Sequence, residues 1–324
     1  MSIPFIADVP QTQEHSDSIW AAQWASNDTI FSASADGHII HWDANKMSKL
    51  NTQPPHVLGM VSLDVDETGT LALYNTIEGI TSLWDTNQGH KVYKHESFLR
   101  TSSQSSEPAW SVSLHPKGKL YAATGGSGSI TIHSATPDAF GSLQRTLSPG
   151  RAKFGMFTSF STDGTRVAYS TESGQIYLFD TESGALTSTF SSHAMCVRDL
   201  AWSYDSTLLL SASDDKRLVL HDVRMSGSGG GKSGGAVSSF NGHTSWVLSA
   251  GFSPDGRYAA SGSADKSVRV WDIASKQCVN VTKEDGEVWT VSWRPKPSST
   301  GPGQFVGGLE DGSIKWYRGA GSSG

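Results

Sequence analysis

Cysteine is scarce: Cys196 and Cys278 are the only two in 324 residues. That is too few for a disulfide framework and points to a reducing compartment. Neither has a paired cysteine at zinc spacing, so no metal site is expected. Runs of lysine or arginine are missing, and the formal net charge is −6. No basic groove for phosphates follows, which argues against direct nucleic-acid binding. No apolar stretch is long enough to span a membrane. The opening MSIPFIADVPQTQEHSD lacks the basic start and apolar core of a secretory signal. No segment sustains a 3.6-residue apolar period, which excludes long amphipathic helices. What is abundant is glycine, 34 residues, and tryptophan, 11 residues, a composition that suits repeated short strands and turns.

The repeat is visible in GHTSWVLSAGFSPDGRYAASGSADKSVRVWDI, residues 242–273, with shorter echoes at 201–223 and 31–43. Units close on an aromatic residue or histidine before aspartate: Trp42-Asp43, Trp84-Asp85, Phe179-Asp180, His221-Asp222 and Trp271-Asp272. His133-Ser134 and Tyr317-Arg318 are degenerate endings. They recur at the roughly 40–50-residue period of a propeller blade. Each unit also carries three apolar or small residues spaced 3 then 2. These are Ile19/Ala22/Trp24, Leu58/Val61/Leu63, Ala109/Val112/Leu114, Gly155/Thr158/Phe160, Val197/Leu200/Trp202, Val247/Ala250/Phe252 and Val288/Val291/Trp293. A regular strand alternates at period 2, so this spacing predicts a β-bulge in each inner strand. Turns such as SPDG, STDG and HPKG follow.

Short strands repeated seven times cannot bury their faces unit by unit and must stack radially. The fold class predicted is all-β: one seven-bladed β-propeller over residues 1–324, closed by an N-terminal strand near 4–9 that removes two free sheet edges. The GH of Gly242-His243, the SADK of 263–266 and the closing WD pairs resemble the WD-repeat family. That resemblance implies buried hydrogen-bonded sets of His, Ser, Asp and Trp. The matching residues are His15, Ser34, Asp36 and Trp42 in blade one and His243, Ser263, Asp265 and Trp271 in blade six. Blade five keeps His193 and Asp215 with His221 in the Trp place. The other blades lack the His; Glu78, Ser127 and Ser173 stand where Asp is usual.

RMSGSGGGKSGG, residues 224–235, looks like a phosphate-cradling loop. Its first position is Ser226 rather than glycine, and no helix start follows, so no nucleotide cofactor is expected. The expectation is a flexible Gly/Ser-rich loop, 224–236, between blades five and six. No catalytic constellation emerges, and neither a cofactor nor a small-molecule substrate is expected. Asp214 and Asp215 read as one exposed and one structural carboxylate, and no nucleophile elbow occurs.

The functional signal is positional. Residues flanking the first apolar position of each inner strand sit at the bulge, at the channel mouth: Ser18/Trp20, Val57/Gly59, Pro108/Trp110, Phe154/Met156, Cys196/Arg198, Trp246/Leu248 and Glu287/Trp289. Large apolar groups and arginine gathered there suggest a partner site. The candidate binding residues are Trp20, Trp110, Phe154, Met156, Arg198, Trp246, Leu248 and Trp289.

HAMCVRDL, SWVL and DKSVRVWD are similar to the WD-repeat subunits of the superkiller (Ski) complex and their animal counterparts. That resemblance implies a non-catalytic scaffold. Its partners would be a tetratricopeptide-repeat subunit and an RNA helicase that feeds messenger RNA to the cytoplasmic exosome. It implies a cytoplasmic location with room for a nuclear pool, since relatives serve transcription elongation and meiotic recombination. A chromatin-complex propeller that reads an Arg side chain is a competing interaction module; Arg198 at the mouth argues against it. A propeller enzyme would need convergent carboxylates, whereas Asp214, Glu287 and Glu310 are scattered.

Overall fold

The computed structural model describes residues 5–88, 92–96, 109–150, 153–225, 235–296 and 302–320. Its strands form seven four-stranded antiparallel sheets, the blades of a propeller. Among the described residues the helices are three 3₁₀ turns of 3 residues each. The inner strands are Ile19–Trp24, Met60–Val65, Ala109–Leu114, Gly155–Phe160, Val197–Trp202, Val247–Phe252 and Val288–Trp293.

Closure follows the expectation. Phe5–Gln13 pairs antiparallel with Ser313–Gly319 and completes the sheet built from Val288–Trp293 and Gln304–Leu309. Phe5 is buried against Trp293 and Phe305, with ring centroids 5.9 and 5.5 Å away. The seventh blade thus combines an N-terminal strand with three C-terminal ones, and among the described residues the ring has no unpaired seam.

The core lies between blades, not within them. Phe31 and Ile39 of blade one pack with Met60, Tyr74 and Trp84 of blade two. Val306, Ile314 and Trp316 of blade seven pack with Ile19, Trp24 and Trp42 of blade one. A polar ladder adds to this around the channel. Ser62 Oγ takes the Val112 N–H at 3.1 Å, and Asp64 Oδ2 takes that of Leu114 at 2.7 Å. Thr290 and Ser292 take the N–H groups of Ala22 and Trp24 at 3.1 and 2.9 Å. Side-chain acceptors on one inner strand therefore satisfy backbone donors on the next, which a buried backbone requires.

Tight turns bind neighbouring blades at the mouth. At Gly312 φ is +80°, and a Cβ there would stand 2.5 Å from the His15 carbonyl oxygen of the adjoining blade. Only glycine meets both conditions.

Two expectations need correction. In blade two the inner strand starts at Met60, and its inward triplet is Met60/Leu63/Val65 rather than Leu58/Val61/Leu63; Leu58 is exposed. The Gly/Ser-rich segment lies outside the described residues from 226 to 234. Its flanking strands, Arg217–Asp222 and Ala236–Asn241, pair with each other, so it joins two strands of blade five rather than two blades.

Candidate partner-docking mouth

The turn sets fix the loops from which the inner strands start. In blade one His15 Nδ1 lies 3.0 Å from Asp36 Oδ2, and His15 Nε2 lies 2.8 Å from Ser32 Oγ. Trp42 Nε1 donates to the same Ser32 Oγ at 2.8 Å. Blade six repeats this with His243, Asp265, Ser261 and Trp271 at 2.9, 2.7 and 2.9 Å. In blade five His193 binds Asp215 at 2.9 Å and Ser211 at 2.7 Å. His221 replaces the tryptophan, with Nε2 3.0 Å from Ser211 Oγ. Burial opposes ionisation of Asp36, but hydrogen bonds from the His15 ring and the His38 and Ser16 N–H groups hold it well below the usual carboxylate range. Burial pushes His221 down to about 3, so it is neutral.

The serine of each set is therefore Ser32 or Ser261, not Ser34 or Ser263. The latter have a separate task. Ser34 donates to the Asp17 carbonyl at 2.9 Å and accepts the Asp36 N–H at 3.1 Å. Ser263 donates to the Trp246 carbonyl at 2.7 Å and accepts the Asp265 N–H at 3.0 Å. They pin the start of the inner strand to the turn.

Blade two does have a histidine in the His place. With the corrected register, His56 stands four residues before Met60, as His15 stands before Ile19. Its ring meets Tyr74 edge-on at 5.8 Å, and Tyr74 fills the serine position. Blade seven carries a different solution. Glu284 takes the His place and Tyr317 the Trp place. Glu284 accepts from Lys315 Nζ at 2.5 Å and from the Tyr317 hydroxyl at 2.8 Å. The sequence signal for this pair is the lysine of SIKWY inside an otherwise apolar strand.

All seven inner strands bear a register break one residue after their first position. The extra residues are Trp20, Val61, Trp110, Met156, Arg198, Leu248 and Trp289. Each is left out of the ladder, and all seven line one central cavity of about 620 Å³. The structure thus brings Trp20, Trp110, Met156, Arg198, Leu248 and Trp289 together around one cavity wall. It adds Val61 in place of Val57/Gly59. Leu248 is nearly covered, at 6% exposure. Phe154 and Trp246 stand outside that wall but touch it: Phe154 meets Trp110 edge-on at 5.9 Å, and Trp246 lies 5.4 Å from the Arg198 guanidinium. Pro108 lies outside the described residues.

The mouth has a polarity. On one side Trp20 and Trp289 stack at 5.9 Å. Beside them burial, then Glu310, pushes the Glu287 carboxyl up. On the other side Asp214 grips Arg198 in a two-point pair at 2.8 and 2.9 Å. Asp214 is buried, not the exposed neighbour anticipated, because it anchors this guanidinium. The hydrogen bonds that Arg198 donates to Asp214 hold its charge in place. Burial pushes the Cys196 thiol up to about 11, so it is a poor nucleophile.

Seven blades around a channel with an aromatic mouth define a β-propeller of the kind that holds other proteins. A profile of the WD domain, G-beta repeat, matches residues 8–43, 184–222 and 234–272. The chain is similar to WD repeat-containing protein SL1-17 of Schistosoma mansoni, 32% identical over 224 residues, which are 66% of this chain and 69% of that one. It is 30% identical to WD repeat-containing protein VIP3 of Arabidopsis thaliana over 261 residues, 75% of this chain and 76% of that one. It is 29% identical to meiotic recombination protein rec14 of Schizosaccharomyces pombe over 297 residues, 90% of each. The chain belongs to the WD-repeat family.

Proposed function

We propose that this protein is a non-catalytic scaffold that receives a short segment of a larger subunit at the bulge ring. The observation that carries the reading is the convergence of the seven out-of-ladder residues on one mouth, with paired tryptophans and a fixed guanidinium. Tryptophan and arginine are the usual anchors of such contacts. On the finer reading the complex is the superkiller complex, and the partners are its tetratricopeptide-repeat subunit and RNA helicase. The stretches HAMCVRDL, SWVL and DKSVRVWD support it. The site of action would be the cytoplasm, with a nuclear pool. A second reading, a subunit of a nuclear complex, draws support from the similarity to a protein named for meiotic recombination over 90% of both chains. Affinity purification with mass spectrometry separates them. Recovery of a helicase together with a repeat-rich scaffold is the outcome expected of the first. Recovery of recombination or transcription proteins without a helicase supports the second.

A further inference from the structure

Blade six carries two positive charges on the face it turns toward blade five. Arg269 and Trp271 stand two residues apart on the strand Ser267–Asp272, so their side chains leave from one face. Trp271 packs on Phe240 of blade five, with ring centroids 5.8 Å apart, which identifies the face. In the register with the outer strand Gln277–Lys283, Lys283 lies opposite Ser267 and Val281 opposite Arg269. Arg269 and Lys283 are therefore diagonal neighbours on that face, close enough for two long side chains to meet one small ligand.

The carboxylates at hand are spent elsewhere. Asp265 accepts from the Ser267 hydroxyl and holds His243 at 2.9 Å, and Glu284 accepts from Lys315 and Tyr317. The Nε–H of Arg269 is buried and finds no acceptor. Its guanidinium lies 6.0 Å from the Trp271 ring and beside Gly242, where a Cβ would stand 2.7 Å from Nη1. The half-buried Arg198, Arg217 and Arg294 differ: each holds a carboxylate, at 2.8, 2.8 and 2.9 Å. An orphaned donor on a charged group is costly. An anion at the exposed edge of the Arg269 guanidinium offsets that cost through its charge.

The two charges act on one spot. Burial pushes the His243 ring down against the pull of Asp265, and Arg269 and Lys283 push it further. The formal net charge of the chain is −6, so its surface has no general attraction for anions and this positive patch is local.

We propose that Arg269 and Lys283 form a phosphate-binding site on the flank of blade six, which takes inorganic phosphate or a phosphorylated serine or threonine. Two cations match the charge of about −2 on such a group. The guanidinium offers paired N–H donors to two phosphate oxygens, and the lysine brings a mobile point charge to the third. Val281, 45% exposed beside them, gives a phosphorylated peptide an apolar contact that the free ion lacks. The site lies outside the bulge ring and does not depend on what docks there.

The test follows the Arg269 Nε–H resonance of the isotope-labelled full chain, assigned by its loss in Arg269→Gln. Three probes are titrated at an ionic strength held constant with chloride. They are inorganic phosphate, a Gly-Gly-phosphoserine-Val-Gly peptide, and the same peptide with glutamate in place of phosphoserine. A saturable shift is expected with the phosphate probes, and an affinity about tenfold lower or less with the glutamate peptide. Lys283→Gln, an exposed change that leaves the core untouched, should weaken phosphate binding about tenfold. Arg269→Lys, which keeps the charge but loses the paired donors, should do the same, read from the phosphorus resonance of the probe. Tighter binding of the phosphopeptide than of inorganic phosphate identifies a phosphorylated segment as the ligand, and equal affinity identifies the free ion. No saturable shift with either phosphate probe, equal binding of the glutamate peptide, or full-strength binding by both variants overturns the proposal.

Discussion

Lys315 Nζ lies 2.5 Å from Glu284 Oε2, and the two side chains are 7% and 3% exposed. This ion pair, with the Tyr317 hydroxyl, stands in blade seven where blades one and six have His, Ser and Trp. Gly307 occupies the serine position, and a Cβ there would come 3.1 Å from the Tyr317 ring. The blade that joins the chain ends thus depends on a charge pair. Removing one partner of a buried pair leaves the other uncompensated, a loss of about 3–5 kcal/mol. Lys315→Met is expected to lower the unfolding free energy measured by urea titration by that amount. Lys315→Met with Glu284→Gln should recover much of it. Equal losses from the single and the double variant would show that the pair is not coupled.

The turn sets predict an acid-sensitive fold. Asp36, Asp215 and Asp265 are held well below their ordinary values by His15, His193 and His243 against the opposing effect of burial. A carboxylate with a depressed folded pKa stabilises fully above its unfolded value near 4 and loses that contribution as pH falls below it. His221 adds a second window. Burial lowers it to about 3, so only the unfolded chain takes up its proton between about pH 6.5 and that value. Stability should drop by about 1.4 kcal/mol per pH unit across that window. Denaturant midpoints of His221→Trp, which keeps a donor toward Ser211, should show a flatter slope from pH 6 to pH 4. An unchanged slope would mean that His221 is protonated in the folded state.

Deleting residues 1–12 should reopen the ring. Phe5 leaves its pocket on Trp293 and Phe305, and Ser313–Gly319 becomes a bare edge. Loss of a buried phenylalanine alone costs about 3–5 kcal/mol, so the melting temperature should fall by at least about 5 °C. An unaltered melting curve would rule out closure by this strand.

The bulge was legible because its 3-then-2 spacing recurs in every unit, and repetition separates a pattern from chance. Two details were not. Ser32 and Ser34 share one face of their strand at period 2, so spacing cannot say which one meets the histidine. The loop that carries His15 decides it. In HVLGMVSLDV, apolar residues fit two registers. The turn was the available cue: Leu114 precedes Gly118 and Val65 precedes Gly69 by four residues, and Leu63 does not fit that count. Shifting the register recovers both Met60 and His56. The Arg198–Asp214 grip joins residues 16 apart across a bulge, a geometry that no local pattern encodes.

The ring makes the last prediction. Trp289 belongs to the stack with Trp20, and Trp246 covers the Arg198 guanidinium while 46% exposed. Neither is part of the interblade clusters that hold the fold. Truncating one aromatic anchor typically costs about 2–4 kcal/mol of binding, a roughly 30- to 1000-fold loss of affinity. Trp246→Ala with Trp289→Ala should therefore abolish capture of the repeat-rich scaffold subunit proposed as partner in a pull-down. The circular dichroism spectrum should stay unchanged and the melting temperature should shift by less than about 3 °C, because Trp246 is half-exposed and neither ring belongs to those clusters. Arg198→Lys should weaken capture less than the double tryptophan change, since lysine keeps the charge but cannot make the two-point contact with Asp214. Full-strength capture by the double variant would move the docking surface away from the mouth. Loss of fold would show instead that the rings plug the channel.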